Sequence, residues 1–288
     1  MKSSDNFFIH YSKPNYSSAD APHQLYVQKG SFFAMRITFL GTGTSQGVPV
    51  IACNCEVCTS SDKRNNRLRT SVLIEAKGKT IVVDSGPDFR YQLLRAQVKD
   101  LDAVLFTHEH KDHIAGLDDI RPFNYLLHKV IDVYATERVQ AALKREFYYI
   151  FADTKYFGLP QINLHTVNNG ERFEIGENVI TPFEVMHHLL PITGYRIGDF
   201  TYITDAKTIL PESFEKIKGT KILVINALQN EPHISHFTLN EAVEFAQKVG
   251  AETTYLTHIS HNLGLHEEVE AKLPSNIRLA YDGLKIEL

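Results

Sequence analysis

Two strand-rich stretches, each with helical segments beside it, predict an α/β fold in which two strand layers are packed face to face and helices cover them outside, an αββα sandwich. Three observations carry that reading. Short apolar or alternating runs recur in both halves of the chain and end on glycine, asparagine or aspartate. Helical segments with recognisable starts lie between them, as at Thr238-Leu-Asn-Glu241, a capping box. A length of 288 residues with 43% hydrophobic and 22% charged content is enough to bury a sizeable core within one large domain, residues 35–288.

Residues 1–34 are rich in Ser, Asn, Tyr and Pro and keep no sustained period, so they read as an extension: a mobile tail, a partner-binding arm, or a start upstream of Met35. Arg36 to Leu40 is a first strand, and Gly41-Thr-Gly-Thr-Ser-Gln-Gly47 a turn that lacks the Gly-Lys-Ser/Thr ending of a phosphate loop. Thr70 to Glu75 and Thr80 to Val83 form a hairpin ending at Asp84, which suits either a turn or the orientation of a neighbouring histidine. Asp88 to Gln97 reads as a helix and Ala103 to Phe106 as a buried strand. A helix from Leu117 to Tyr125 is expected to stop near Arg121-Pro122, because the residue before proline avoids helical geometry.

Ile131 to Ala135 reads as a strand, Thr136 as the cap of a helix running to Lys144, and Phe147 to Phe151 as a lid or as local core. Arg172 to Ile175, Val179 to Val185, Tyr195 to Ile197 and Phe200 to Ile203 read as strands of a second sheet. Pro211 to Lys218, Thr238 to Lys248 and Glu267 to Leu273 suit helices, while Lys221 to Asn226, Thr253 to Leu256 and Ile277 to Ile286 suit strands.

A formal net charge of -4 argues against a broad nucleic-acid surface and favours a small substrate. No apolar run approaches the roughly 18 residues that a membrane helix needs, and no signal-peptide pattern opens the chain, so a cytoplasmic protein with no membrane partner is expected. Composition leaves a homodimer open. The three cysteines, Cys53, Cys55 and Cys58, share one hexapeptide, which suits a zinc site better than a disulfide framework; three thiolates leave one tetrahedral position to be filled from elsewhere.

The chemistry concentrates in Thr107-His108-Glu109-His110-Lys111-Asp112-His113, directly after the Ala103 strand. His108 and His110 leave an extended segment on one face, and Asp112 and His113 follow where the chain turns. Imidazole and carboxylate suit zinc, iron or manganese, and four donors exceed what one tetrahedral ion takes, so two metals are the natural inference. Further donors stand at later strand ends: His187 and His188, Asp205, and His258.

His-x-His-x-Asp-His after an apolar strand resembles the metal signature of the metallo-β-lactamase superfamily, which implies its αββα sandwich. Leu256-Thr-His-Ile-Ser-His261, Tyr281-Asp-Gly-Leu-Lys-Ile286, the Gly41 turn and the cysteine cluster resemble more narrowly the phosphoribosyl cyclic phosphate phosphodiesterase family of phosphonate breakdown. That resemblance implies one active-site metal on His108, His110 and His187, a second on Asp112, His113 and His258, and Asp205 bridging them, the ions being Zn or Mn. Relatives that process tRNA 3′ ends would favour His188 in place of His187. The resemblance also implies His261 as fourth ligand of a structural zinc, His236 as a general acid, and Arg121 and Arg69 as phosphate-neutralising groups.

The expected activity is hydrolysis of a small cyclic phosphodiester, in which paired cations acidify a bridging water toward pH 7; Asp112 and His236 count as catalytic. Two other readings stand beside it. One is a tRNA 3′-processing nuclease, suggested by Gly194-Tyr-Arg196; the other is a non-catalytic metal-binding protein related to pyrroloquinoline quinone biosynthesis B.

Overall fold

A computed structural model describes residues 35–152 and 158–288, so the reading of residues 1–34 as an extension lies outside the described residues. The first half supplies strands β1 (Met35–Gly41), β2 (Ser71–Ala76), β3 (Lys79–Val83), β4 (Ala103–Leu105), β5 (Ile131–Ala135) and β6 (Ile162–Thr166). The second supplies β7 (Phe173–Ile175), β8 (Asn178–His187), β9 (Leu190–Ile197), β10 (Phe200–Tyr202), β11 (Ile222–Asn226), β12 (Thr253–Thr257), β13 (Ile277–Leu279) and β14 (Lys285–Glu287). They form two seven-stranded sheets, ordered β14-β1-β2-β3-β4-β5-β6 and β13-β12-β11-β10-β9-β8-β7.

Period-two alternation decides which layer each side chain enters. In β2, Val72 and Ile74 face the space between the sheets while Leu73 faces outward; in β11, Val224 faces inward while Leu223 and Ile225 face outward. The outward face of the first sheet is covered by α1 (Phe89–Ala96), α3 (Arg121–Leu127) and α4 (Glu137–Glu146), which follow the four-residue α2 (Lys111–Ile114) or precede it in the chain. The second sheet is covered by α5 (Pro211–Ile217), α6 (Leu239–Val249) and α7 (His266–Glu270) through Ile217, Ala242, Ala246 and Val269. The αββα sandwich expected from the sequence is therefore present.

Three local expectations need correction, and one strand was not expected. Pro122 does not stop a helix: a 3-10 turn, Leu117–Ile120, ends there and Pro122 sits in the first turn of α3, where its missing N–H has no intrahelical partner to lose. The segment Ile277 to Ile286 is two strands, because the turn at Asp282-Gly283 carries the chain from one sheet edge to the other. The strand read from Tyr195 begins at Leu190, since pairing with β8 runs back to His187 opposite Leu190. β6 carries no expectation from sequence; it is an edge strand of intermediate exposure, held parallel to β5. Phe147 is buried beneath α4, and Tyr149, Ile150 and Phe151 pack on the same cluster, the local-core reading of that aromatic run.

Three contacts fix the strand that leads to the histidine motif. Asp102, just before β4, accepts from Lys129 Nζ at 2.8 Å, Lys79 Nζ at 2.9 Å and the Thr80 N–H at 2.8 Å. Partial burial alone would raise its carboxyl, but Lys129, the Thr80 N–H and Lys79 together hold it below its usual value. A carboxyl depressed in the folded state adds stability that is complete above its unfolded value, roughly pH 4, and is lost as pH falls through the folded value. Asp102→Asn is therefore expected to be less stable than the parent at pH 7 and to lose less further stability below pH 4. Urea unfolding across pH 3–7 checks this, and parallel pH curves for the two proteins would contradict it.

Candidate metal centre

The site lies where strand ends from both sheets meet. β4 runs through Thr107 into His108, β8 ends on His187, β10 leads to Asp205, and β12 leads to His258. In α/β sheets the carboxyl ends of parallel strands are the usual place for a ligand, because backbone and side chains splay there. Asp84, Asp205 and His258 all adopt positive φ, at 64°, 57° and 54°. Non-glycine residues in that region cost on the order of 1–3 kcal/mol each and persist where surrounding structure requires them. Gly86 lets the motif approach: a Cβ there would lie 2.1 Å from the Asp112 carbonyl oxygen.

His108, His110 and His187 bring donor atoms within 4.8 Å of one another, and so do Asp112, His113, Asp205 and His258. Asp205 joins the groups. Its Oδ1 is 3.0 Å from His258 Nδ1, and its Oδ2 is 3.5 Å from His113 Nε2 and 3.8 Å from His108 Nε2. His113 Nε2 also lies 3.1 Å from Asp112 Oδ2. His187 is buried and in the cluster, whereas His188 occupies the exposed β8–β9 turn with φ 55°.

Hydrogen bonds on the far side of each ring assign its free nitrogen. His113 Nδ1 is 2.8 Å from the buried Asp84 Oδ2, and His187 Nδ1 donates to the Ser235 carbonyl at 2.9 Å. Thr107 Oγ1 gives its proton to Asp84 at 2.9 Å and so accepts from His108 Nδ1 at 3.0 Å. His108 Nε2, His113 Nε2 and His258 Nδ1 are buried and, although the Asp112 and Asp205 oxygens are near, make no well-aligned hydrogen bond. Buried polar nitrogens pointing at one place are costly unless something fills it, and a divalent cation meets that need.

Charge gives the same answer. Burial disfavours the charged form of His113, yet Asp112, Asp205 and Asp84 raise its pKa well above the usual value. Burial likewise opposes ionisation of Asp205, but His258 and His113 hold it well below the carboxylate range. His108, dominated by burial, is pushed well below the ordinary imidazole value and is a neutral donor. The centre is a carboxylate cage that calls for positive charge, and the residues present fit divalent metal.

Cys53, Cys55, Cys58 and His261 form a separate cluster, with His261 Nδ1 at 3.3, 3.4 and 3.5 Å from the three sulfurs. Zn–S and Zn–N bonds of about 2.3 and 2.0–2.1 Å imply an S···N tetrahedral edge of about 3.5 Å. A Cys58 N–H, and then His261, lower the exposed Cys55 thiol to about 6, the direction a metal-ligating thiolate needs, while burial raises Cys58 to about 11.

The two arginines are not among these clustered groups. Arg121 is paired with Asp118 at 2.5 Å, and Arg69 with Asp88 at 3.2 Å and, through Nε, with the Ser45 carbonyl. His236 does reach the centre, its Nε2 3.4 Å from Asp205 Oδ2. Burial lowers it to about 4 against the pull of Asp205. Sequence reasoning passed over His233, whose ring contacts His236, and the supporting Thr107 hydroxyl. The His-x-x-His spacing of His233 and His236 was the available signal.

Residues 79–259 match the β-lactamase superfamily domain. The chain belongs to the metallo-β-lactamase superfamily. Within it, the crystal structure of a diphosphatase from the PhnP family is similar with a TM-score of 0.83 and 43% identity, covering 88% of this chain and 97% of that one. An octanoyltransferase of Porphyromonas gingivalis is 41% identical over 253 residues, 87% of this chain and 51% of that protein, so the chain spans about half the length of that relative. A ribonuclease Z of Methanopyrus kandleri is 26% identical over 271 residues, 77% of this chain and 92% of the other. Among the described residues, no helix is long and apolar enough to cross a membrane.

If the cysteine cluster holds zinc, Cys55→Ser should lower bound zinc by about one equivalent and lower Tm, since structural zinc binding is largely folding free energy. Metal analysis and thermal unfolding of the purified variant check this; unchanged zinc and Tm would return Cys53, Cys55 and Cys58 to free thiols.

Proposed function

We propose that this metallo-β-lactamase-fold protein is a hydrolase, and specifically a dinuclear metal-dependent phosphodiesterase acting on a small cyclic phosphodiester. The observation that carries the reading is the convergence of His108, His110 and His187 with Asp112, His113 and His258 around the single carboxylate of Asp205. The first three residues would hold one ion, the second three another, and Asp205 would bridge them. Divalent ions bound there supply an activated water at neutral pH and positive charge against phosphoryl oxygens. The 43% identity to a PhnP-family diphosphatase supports phosphorus chemistry without naming the bond cleaved.

The chain's own contribution is proton delivery. A cyclic diester leaves as an alkoxide, a poor leaving group that needs a proton, and His236 Nε2 faces the centre from 3.4 Å beyond Asp205. Burial keeps that ring neutral in the free site, and an anionic phosphate bound beside it favours the protonated form. Asp112 would act as a ligand beside His113, whose ring Asp84 orients through Nδ1. The ribonuclease Z likeness keeps nuclease action on an RNA 3′ end as a second reading, and precursor tRNA belongs in the substrate panel.

The test compares leaving groups. His236→Ala should lose roughly 10²- to 10⁴-fold in kcat on a 2′,3′-cyclic nucleotide, the range for a positioned general acid, yet keep much more of its activity on bis(p-nitrophenyl) phosphate, whose nitrophenolate leaves unaided. His110→Ala, which removes a ligand, should fail equally on both substrates. An equal loss on both for His236→Ala at full metal occupancy would remove the acid role.

A further inference from the structure

We infer that the cleft between α5 and α6 is a second binding site, shaped for a small planar aromatic molecule that carries one anionic group. Its volume is about 360 Å³, within the roughly 300–1,000 Å³ usual for small-molecule sites. In the chain it lies beside the metal centre: Phe237 follows His236, and Lys207 stands two residues past Asp205. None of the residues in the metal clusters lines it, so its occupancy stands apart from the hydrolase reading.

Two helices and one loop build the cleft. α6 buries Ala242 and Ala246 against the second sheet, and side chains that small let the helix lie close to it. Phe245 and Lys248, three residues apart and so neighbours on one flank of the helix, are left half-buried and exposed respectively. α5 presents Phe214, also half-buried, and the loop after β11 supplies the buried Phe237 as a floor. The three rings meet: Phe214 and Phe245 stand edge to face with centroids 6.0 Å apart, and Phe237 and Phe245 lie closer to parallel at 5.9 Å. Two partly wet ring surfaces in one cleft still have apolar area to lose, and another flat ring is the shape that covers them.

Charge selects what the ring must carry. Two ammonium groups stand over Phe214, Lys248 Nζ at 4.9 Å from the ring centroid and Lys218 Nζ at 5.7 Å. Lys218 is paired with Glu215, and Lys207, in the cleft wall, is held by both oxygens of Glu241 at 2.8 and 2.9 Å. Among the described residues Lys248 has no carboxylate partner. Three cations against two carboxylates leave one positive charge, on a flexible stem beside the rings. A flat anion meets both features: its ring stacks on Phe214 or Phe245, and its charge takes the Lys248 ammonium. A neutral ring would leave Lys248 unpaired, and inorganic phosphate has no face to stack.

Titration calorimetry of the full chain prepared with zinc, using naphthalene-2-sulfonate as probe, tests the site. The parent should bind one equivalent saturably at millimolar concentration, and cyclohexanesulfonate, which keeps the charge but not the ring, should bind roughly 5- to 10-fold more weakly. Phe214→Leu, which keeps aliphatic bulk, should weaken the probe by a similar factor. Lys248→Gln, at an exposed position that the fold does not need, should weaken it about 3-fold and remove the dependence of Kd on salt, whereas Lys248→Arg should bind as the parent does. His110→Ala, which disables the metal centre, should also bind the probe as the parent does. Absence of saturable binding, equal affinity for cyclohexanesulfonate, or an unchanged Kd in both Phe214→Leu and Lys248→Gln overturns the inference. A loss in His110→Ala as large as that in Phe214→Leu would place the probe at the metal centre and overturn it equally, without touching the hydrolase reading.

Discussion

The structure depends on one buried carboxylate. Asp205 is 2% exposed, too deep to stay ionised alone, since an unpaired buried charge costs several kcal/mol. The four rings of His108, His113, His236 and His258 surround it from three separate parts of the chain. The free nitrogens of His108, His113 and His258 are as costly to leave bare as the carboxylate is to leave unpaired, and a positive charge between them satisfies both. The same demand shapes the backbone. Asp84, Asp205 and His258 are held in left-handed conformations at three strand ends because the donors meet only if each chain turns sharply there.

The two sheets make that meeting rigid. Alternation sends one row of each strand into the space between the sheets and the other under helices, so the strand ends have no freedom to separate. A layer of supporting groups then sets the rings: Asp84 and Thr107 behind His113 and His108, the Ser235 carbonyl behind His187, and His233 behind His236. The cysteine site belongs to the same frame. His258 and His261 are three residues apart, and the Gly41 turn pairs with Ile259 between them, so the cysteine loop leans on the wall that carries a candidate ligand.

Much of this was legible in the sequence because donors at strand ends leave a strong pattern. An apolar run followed by His108-Glu-His110-Lys-Asp112-His113 crowds more donors into six positions than a solvated turn has any use for, and His187, Asp205 and His258 each close a strand in the same way. Supporting groups are harder to read. Thr107 and His233 each contact a neighbouring ring; the His-x-x-His spacing of His233 and His236 is the one local signal for the latter, and nothing in local spacing separates Thr107 from an ordinary turn position. Pro122 misled for a related reason: a proline that breaks a helix and one that begins a helix look alike until the preceding turn is known. Arg69 and Arg121 were singled out by likeness alone, and each is held by a nearby carboxylate.

Whether two ions share Asp205 is tested directly by anomalous diffraction at the zinc edge from crystals of the zinc-loaded protein. Two peaks about 3.5–4 Å apart are expected, one among His108, His110 and His187 and one among Asp112, His113 and His258, each within bonding distance of Asp205. A single peak, or none between the two groups, would contradict the shared centre.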